Sequence, residues 1–197
     1  MANSQGQLVA FSGPAGAGKS TVLRELFKQC PLPLEMSVSA TTRSPRPGEQ
    51  DGVDYHFLTP EEFDRRRAAG DFLECFEVFG LGYWYGTLLS EVTPRLESGK
   101  WVVLEVDVDG TMAVLEHFPS AITIFIRPPS LEEVERRLRH RGTETEEVIR
   151  RRLEVARREM ELASRYQHQV TNDEVDRAVR EICDILHNSA PPSAHGD

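Results

Sequence analysis

Gly13-Pro14-Ala15-Gly16-Ala17-Gly18-Lys19-Ser20 decides the fold, because it fits the pattern G-x-x-x-x-G-K-[ST] at every position. Its glycines let successive backbone N–H groups curl around phosphate oxygens. A helix that starts where the glycines end turns its positive pole toward the same anion. A glycine-rich turn can match such a pattern by chance, so the flanking sequence carries the argument. On the N-terminal side, Leu8-Val9-Ala10-Phe11 is a short apolar run that reads as a buried parallel strand. On the C-terminal side, Val22, Leu23, Leu26 and Phe27 recur at helical spacing over residues 20–30. Strand, glycine loop and helix in this order predict a phosphate-binding loop. In such a loop Lys19 bridges the β- and γ-phosphates of a nucleotide, and the Ser20 hydroxyl holds Mg2+. Kinases and NTPases share this chemistry, so the second substrate has to be read elsewhere in the chain.

Further along, Thr59-Pro60-Glu61-Glu62 predicts a helix start. Thr59 can cap, Pro60 fits the first helical position, and Glu62 completes a capping box. That helix should stop near Gly70. Residues 101–106 and 121–126 are apolar runs that predict two more buried strands. Ser130 with Glu133 predicts a capped helix over residues 131–139, and Thr143 with Glu146 another that reaches about residue 164. Asn172 or Asp173 should cap a last helix ending near residue 187. Strands alternating with helices predict an α/β fold with a mainly parallel sheet. Residues 37–79, rich in Gly, Pro and charge, break the alternation and predict a small inserted subdomain. Residues 189–197 lack periodicity and predict a disordered tail.

A chain of 197 residues, 39% hydrophobic and 28% charged, favours a single globular domain with an ordinary core. The formal charge of -9 argues against a nucleic-acid partner held by general electrostatics. Cys30, Cys75 and Cys183 are odd in number and far apart, which argues against a disulfide framework and fits a reducing compartment. No basic region precedes the first apolar run, and no stretch nears the roughly 20 apolar residues of a membrane span. These features predict a cytoplasmic protein with no membrane or nucleic-acid partner, and the sequence shows no obligate protein partner.

Ser37-Val38-Ser39-Ala40-Thr41-Thr42-Arg43-Ser44-Pro45-Arg46-Pro47-Gly48-Glu49 is dense in hydroxyls and holds two arginines stiffened by neighbouring prolines. Guanidinium forks so placed suit a phosphate dianion. From spacing alone, a solvated polar loop accounts for them equally well. The segment continues through Gly52-Val53-Asp54-Tyr55-His56-Phe57, Gly70-Asp71-Phe72-Leu73-Glu74, Tyr85-Gly86-Thr87, Arg139-His140-Arg141-Gly142-Thr143-Glu144-Thr145 and Asn172-Asp173. In this order and spacing the chain resembles the guanylate kinases over about residues 6–188.

The resemblance implies a P-loop kinase fold with a core of about residues 6–36, 88–130 and 156–188, a GMP-binding subdomain of about 37–87 and a mobile lid of about 131–155. It implies ATP-dependent phosphorylation of GMP, and of dGMP, with Mg2+ as cofactor. ATP contacts are then Gly13, Pro14, Ala15, Gly16, Ala17, Gly18, Lys19, Ser20, Thr21, Arg141 and Asn172. Arg43, Arg46, Tyr55 and Tyr85 correspond to ligands of the GMP phosphate, and Ser39, Glu74 and Asp107 to ligands of guanine, with Thr87 near the base. Without the family context, an ordinary surface glutamate is the better reading of Glu74. Of nine arginines between Arg136 and Arg158, family position singles out Arg137, Arg141 and Arg152 to join Lys19 and Arg43 in catalysis. Trp84, next to Tyr85, should border the ligand, and Trp101 should lie in the core. The chain departs from the family at Glu105, where Asp is usual, and at Asp109, where Gln is usual; the role of Glu105 beside Mg2+ is thereby left open. Two other readings share the loop: a guanylate-kinase-like binding module without catalysis, and a small kinase for a phosphorylated sugar. The first tends to lose the loop lysine, and the second has no need of Ser39, Glu74 and Asp107 together.

Overall fold

The computed structural model describes residues 6–78, 82–140 and 145–189. In chain order the elements are β1 (Gln7–Ser12), α1 (Lys19–Gln29), β2 (Leu34–Met36), β3 (Ala40–Thr41), β4 (His56–Phe57), α2 (Pro60–Ala69), β5 (Phe72–Val78) and β6 (Tyr83–Leu88). Then follow α3 (Leu89–Glu97), β7 (Trp101–Glu105), α4 (Val108–His117), β8 (Ile122–Arg127), α5 (Leu131–His140), α6 (Glu146–Glu161), a 3-10 turn (Leu162–Arg165), β9 (His168–Thr171) and α7 (Val175–Ser189). The strands form two sheets, with orders β2-β7-β1-β8-β9 and β4-β3-β6-β5. This is the α/β architecture expected, a central parallel sheet flanked by helices. Strands β1, β7 and β8 are buried along nearly their whole length, as a parallel sheet covered on both faces requires. By contacts the described residues gather into two compact units, 6–10 with 33–121 and 11–32 with 122–189.

In the first unit β2 pairs in parallel with β7, setting Leu34 opposite Trp101 and Met36 opposite Val103. Leu8, Leu73, Val92, Val102, Leu104 and Val114 make its main core. The smaller sheet lies in the stretch predicted to be inserted. Here β3 pairs in parallel with β4 and antiparallel with β6, and β5 pairs antiparallel with β6. A bulge interrupts β5 between Phe72 and Glu74. Strand side chains alternate, so without it Phe72 and Glu74 would share a face. With it, Leu73 enters the main core, while Phe72 and Cys75 pack in a second cluster with Phe63 of α2. Trp84 belongs to this second cluster. Its ring lies 6.1 Å from that of Phe63 and 4.4 Å from the Arg67 guanidinium, both on α2. The expectation that Trp84 borders the ligand is therefore wrong: it points away from Tyr85 because consecutive strand residues face opposite sides. Trp101 is buried as expected.

Helix α2 begins and ends as read, with Thr59 accepting the Glu62 N–H and Gly70 closing the helix in the left-handed conformation. Only half of the capping box forms. The Glu62 carboxylate turns instead to Arg65 at 2.9 Å and Arg66 at 2.9 Å, which offer charge-assisted bonds.

In the second unit β8 pairs in parallel with β9, from Ile124 opposite His168 to Arg127 opposite Thr171. Helices α1 and α7 pack together, and Val134 and Leu138 of α5 meet Ile149 and Ala156 of α6. Ser130 caps α5 through the Glu133 N–H. The expected box of Thr143 and Glu146 is not what starts α6. Thr145 is its N-cap and Glu146 its first residue, with the Glu146 carboxylate on Arg139 at 2.6 Å; Thr143 itself lies outside the described residues. At α7, Asp173 accepts the Glu174 N–H and an Arg177 bond, whereas Asn172 is turned elsewhere. The tail from residue 190 onward also lies outside the described residues.

Candidate active site

The phosphate loop is the turn from β1 into α1. Gly13 has φ 145°, and a Cβ there would stand 2.2 Å from the Ile126 carbonyl oxygen of β8. Gly18, at φ 86°, is the N-cap of α1, and a Cβ there would meet Asn172 Nδ2 at 2.4 Å. Glycine alone satisfies both the backbone angle and the close approach. The Ala17 N–H donates to the Pro14 carbonyl, and the Thr21 and Val22 N–H groups both donate to that of Gly18. The Lys19 ammonium folds onto the loop, donating to the Gly13 carbonyl oxygen at 2.6 Å.

Two side chains brace the loop from outside. Asn172 is buried and donates to the Ala17 carbonyl oxygen at 2.7 Å. Arg137 donates from Nη1 to the Gly16 carbonyl oxygen at 3.2 Å and is itself held by Glu133 at 2.6 Å. Beside the loop lies a cavity of about 350 Å³, lined by Gly18, Thr21, Arg136, Arg137, His140 and Asn172 among others. Ser20 is exposed in the first turn of α1, and Arg152 is half-buried on α6. Arg141 lies outside the described residues.

The other predicted ligands come together in the first unit, around a cavity of about 150 Å³ lined by Ser39, Tyr55, Glu74, Tyr85, Glu105 and Asp107 among others. Glu74 and Thr87 are register partners across β5 and β6, and the Thr87 hydroxyl donates to Glu74 Oε1 at 2.6 Å. Burial pushes the Glu74 carboxyl up to about 7, and the Asp107 carboxylate adds to the rise, while the Thr87 hydroxyl opposes it. Asp107 is the N-cap of α4, its Oδ1 accepting the Gly110 N–H at 2.7 Å. A Cβ on Gly110 would stand 3.1 Å from Asp107 Oδ1 and 3.4 Å from Glu74 Oε2, so both acids approach the backbone there.

Arg43 is more committed than a bare fork. Its Nη1 and Nη2 grip both oxygens of Glu49, at 2.9 and 3.0 Å, and Nη1 also donates to the Ser44 carbonyl oxygen at 2.7 Å. Its Nε points to the Tyr85 hydroxyl at 3.3 Å. The Arg46 N–H donates to the same Glu49 at 2.7 Å, while the Arg46 side chain is exposed. The Arg43 guanidinium, and after it the Arg46 amide, hold the Glu49 carboxyl below its ordinary range. The Tyr55 ring stands edge-on to Tyr85 at 5.9 Å with the Arg43 guanidinium 5.4 Å from its centre. Burial first, then the neighbouring Tyr85 and Glu105, pushes the Tyr55 hydroxyl up.

A sequence model of the guanylate kinase family matches residues 5–189. A guanylate kinase of Rhodopirellula baltica is 58% identical over 183 residues, which are 92% of this chain and 87% of the relative. The chain belongs to the guanylate kinase family. A guanylate kinase of Gloeobacter violaceus is 48% identical over 192 residues, 96% of this chain and 91% of that one. The crystal structure of the guanylate kinase of Anaplasma phagocytophilum superposes with a TM-score of 0.77 at 30% identity, covering 96% of this chain and 89% of that one.

As a guanylate kinase, the chain carries its predicted ligands in two groups. Gly13 through Thr21, Arg137 and Asn172 gather at the phosphate loop. Ser39, Tyr55, Glu74, Tyr85 and Asp107 gather at the smaller cavity, with Thr87 on Glu74 and Arg43 on Tyr85. The motif reading missed Glu49 as the partner of Arg43 and Asn172 as a brace of the loop. Glu49 stands six residues from Arg43 with two prolines between, which folds the segment back on itself, so an acid at that spacing was a usable signal. Asn172 bonds a residue 155 positions away, which no local pattern reports. Glu105, noted only as a departure from the family, lines the smaller cavity.

Proposed function

We propose that this chain transfers the γ-phosphoryl group of ATP to a phosphate oxygen of GMP or dGMP, releasing ADP with GDP or dGDP. The observation that carries the choice of acceptor is Glu74, a carboxylate largely withdrawn from water and oriented by the Thr87 hydroxyl at 2.6 Å. Guanine offers N1–H and N2–H donors on one edge, and an ionised carboxylate accepts both. Adenine has an unprotonated N1 there, which a carboxylate repels. Ser39 and Asp107 complete the base contacts, and Arg43, Arg46, Tyr55 and Tyr85 take the phosphate. An intact Lys19-Ser20 pair speaks for an enzyme over a binding module.

A GMP phosphate oxygen is already anionic near neutral pH, so the reaction needs no general base. Catalysis is then alignment and neutralisation of charge on the moving phosphoryl group. Lys19, Arg137, Arg141 and Arg152 supply positive charge, and the acceptor ligands, Arg43 foremost, fix the line of attack. Residues 13–21, Arg141 and Asn172 hold ATP. Mg2+ arriving with ATP neutralises further charge on its phosphates. The Ser20 hydroxyl, a hard oxygen donor exposed at the start of α1, suits it. Among the described residues no group of three or more His, Cys, Asp or Glu is placed to hold a metal ion. Water must be excluded, since an open site would hydrolyse ATP. The lid of about residues 131–155 and the GMP-binding subdomain of about 37–87 perform that closure. The three cysteines are free thiols, which fits a cytoplasmic setting. No helix among the described residues is long and apolar enough to cross a membrane.

The deciding experiment offers GMP, dGMP, AMP and ribose 5-phosphate side by side with MgATP and follows ADP release and product identity. GMP and dGMP should turn over, and AMP should be used at least about a hundredfold less efficiently, the discrimination expected when a site's polar groups are mispaired. Preferred use of the sugar phosphate, or no turnover of GMP, would overturn the proposal.

A further inference from the structure

Two residues of the acceptor cavity, Ser39 and Tyr55, border strands of only two residues each, β3 and β4. Between β3 and β4 the His56 N–H donates to the Ser39 carbonyl and the Leu58 N–H to that of Thr41, both at 2.9 Å, and the far edge of β4 has no further strand among the described residues. A half-buried acid on α3 adds two ties to this region. Glu91 Oε2 accepts the Val38 N–H at 3.2 Å, and Glu91 Oε1 lies 3.1 Å from His56 Nε2. Val38 directly precedes Ser39, and His56 directly follows Tyr55. One carboxylate thus ties down the immediate neighbour of each pocket residue, from outside the cavity lining.

The carboxylate is in turn fixed. Arg95, one helical turn on, lies 3.0 Å from Glu91 Oε2 and also donates to the Glu91 carbonyl oxygen. Arg95 reaches Glu35 of β2 at 3.3 Å, and Lys100 reaches the other Glu35 oxygen at 2.7 Å. The Glu91 side chain is only 15% exposed. Burial opposes its charge, but the Val38 amide, His56 and Arg95 together hold the carboxyl below its ordinary range. It is therefore a charged, oriented acceptor and not a loosely placed surface acid.

We infer that Glu91 is a positioning residue for the acceptor nucleotide, setting Ser39 and Tyr55 without touching the substrate. This rests on the reading of that cavity as the GMP site. Wild-type turnover of GMP tests that reading by itself, and its absence would overturn both. The positioning role is tested by steady-state kinetics of Glu91→Ala, Glu91→Gln and Arg95→Ala, with melting temperatures recorded in parallel. Glu91→Ala should raise KM for GMP about tenfold, the scale of one lost charge-assisted bond, and leave KM for ATP within about twofold. Glu91→Gln retains one oxygen for the Val38 amide and should recover part of that loss. Arg95→Ala keeps both contacts to the acceptor strands and should lower the melting temperature with little change in KM for GMP. If Glu91→Ala cannot be purified folded, the ranking of Glu91→Gln against Arg95→Ala decides. A lowered melting temperature with unchanged KM for GMP in the Glu91 variants, or equal rises in both KM values, would refute the inference and leave Glu91 a purely structural residue.

Discussion

Thr87→Val probes the acceptor site at its most sensitive bond. Thr87 is 1% exposed, and its hydroxyl donates to Glu74 Oε1 at 2.6 Å. Valine nearly keeps the shape and removes the donor. A hydrogen bond to a charged group contributes about 1.5–3 kcal/mol, so its loss should lift the Glu74 pKa by about one to two units from its already raised value. On the proposed function, reading guanine requires the ionised carboxylate, whose fraction grows as pH rises through about 7. At pH 7 that fraction should drop from about one half to between about 1% and 10%, lowering kcat/KM for GMP roughly 5- to 50-fold. At pH 9 nearly all of the wild-type carboxylate and at least about half of the variant's is ionised, and the defect should shrink to about twofold or less. The assay is ADP release at subsaturating GMP from pH 6 to pH 9. The phosphate of GMP itself titrates near pH 6, but the ratio of variant to wild type cancels that contribution. KM for ATP should not change. A defect constant across pH would show that Thr87 does not act through the ionisation of Glu74. The same raised pKa has a stability signature. The folded state holds the Glu74 proton longer than the unfolded chain does. Its contribution is therefore complete at low pH and is lost as pH rises from the ordinary carboxylate range through about 7.

Lys19→Met should lower kcat at least about a hundredfold, the scale of losing one electrostatic stabiliser, and near-normal turnover in the folded variant would remove the phosphate loop from the mechanism. Glu49→Gln should raise KM for GMP a few fold with little change in KM for ATP, because Glu49 holds one edge of Arg43 and leaves Nε facing Tyr85. If Glu49 merely competed with the substrate phosphate, KM for GMP would fall instead.

What could be read from the sequence was local. The phosphate loop declares itself because each residue type acts at a fixed spacing from the next, and the Lys19 and Ser20 positions follow from it. Helix α2 was legible for the same reason, from Thr59 and Pro60 to Gly70. The start of α6 was misplaced by pattern, since Thr143 has Glu146 at capping-box distance whereas Thr145, the observed N-cap, has Val148 there and makes no side-chain cap bond. The acceptor ligands were named by resemblance and not by pattern, because Ser39, Tyr55, Glu74 and Asp107 meet only through strand pairing. Trp84 was misread because sequence neighbours on a strand face opposite sides, so adjacency to Tyr85 sends its ring away from that side. Glu91 carried no local signal at all: both its acceptor-side partners lie more than thirty residues away.

The bulge at Leu73 roots the hairpin of β5 and β6 in the main core through one extra residue. β5 serves three surroundings at once: Leu73 in the main core, Phe72 and Cys75 beneath α2, and Glu74 and Phe76 toward the acceptor. A strand of strict alternation has only two faces to give. The extra residue supplies the third direction, sending Leu73 into the main core while Phe72, Glu74, Cys75 and Phe76 alternate around it. We expect that a variant with Leu73 deleted would keep Glu74 opposite Thr87 and lose stability instead, because the main core loses a buried side chain. The anchoring of this hairpin in the main core thus resides in the length of a strand, a property that substitution scans, which preserve length, cannot detect.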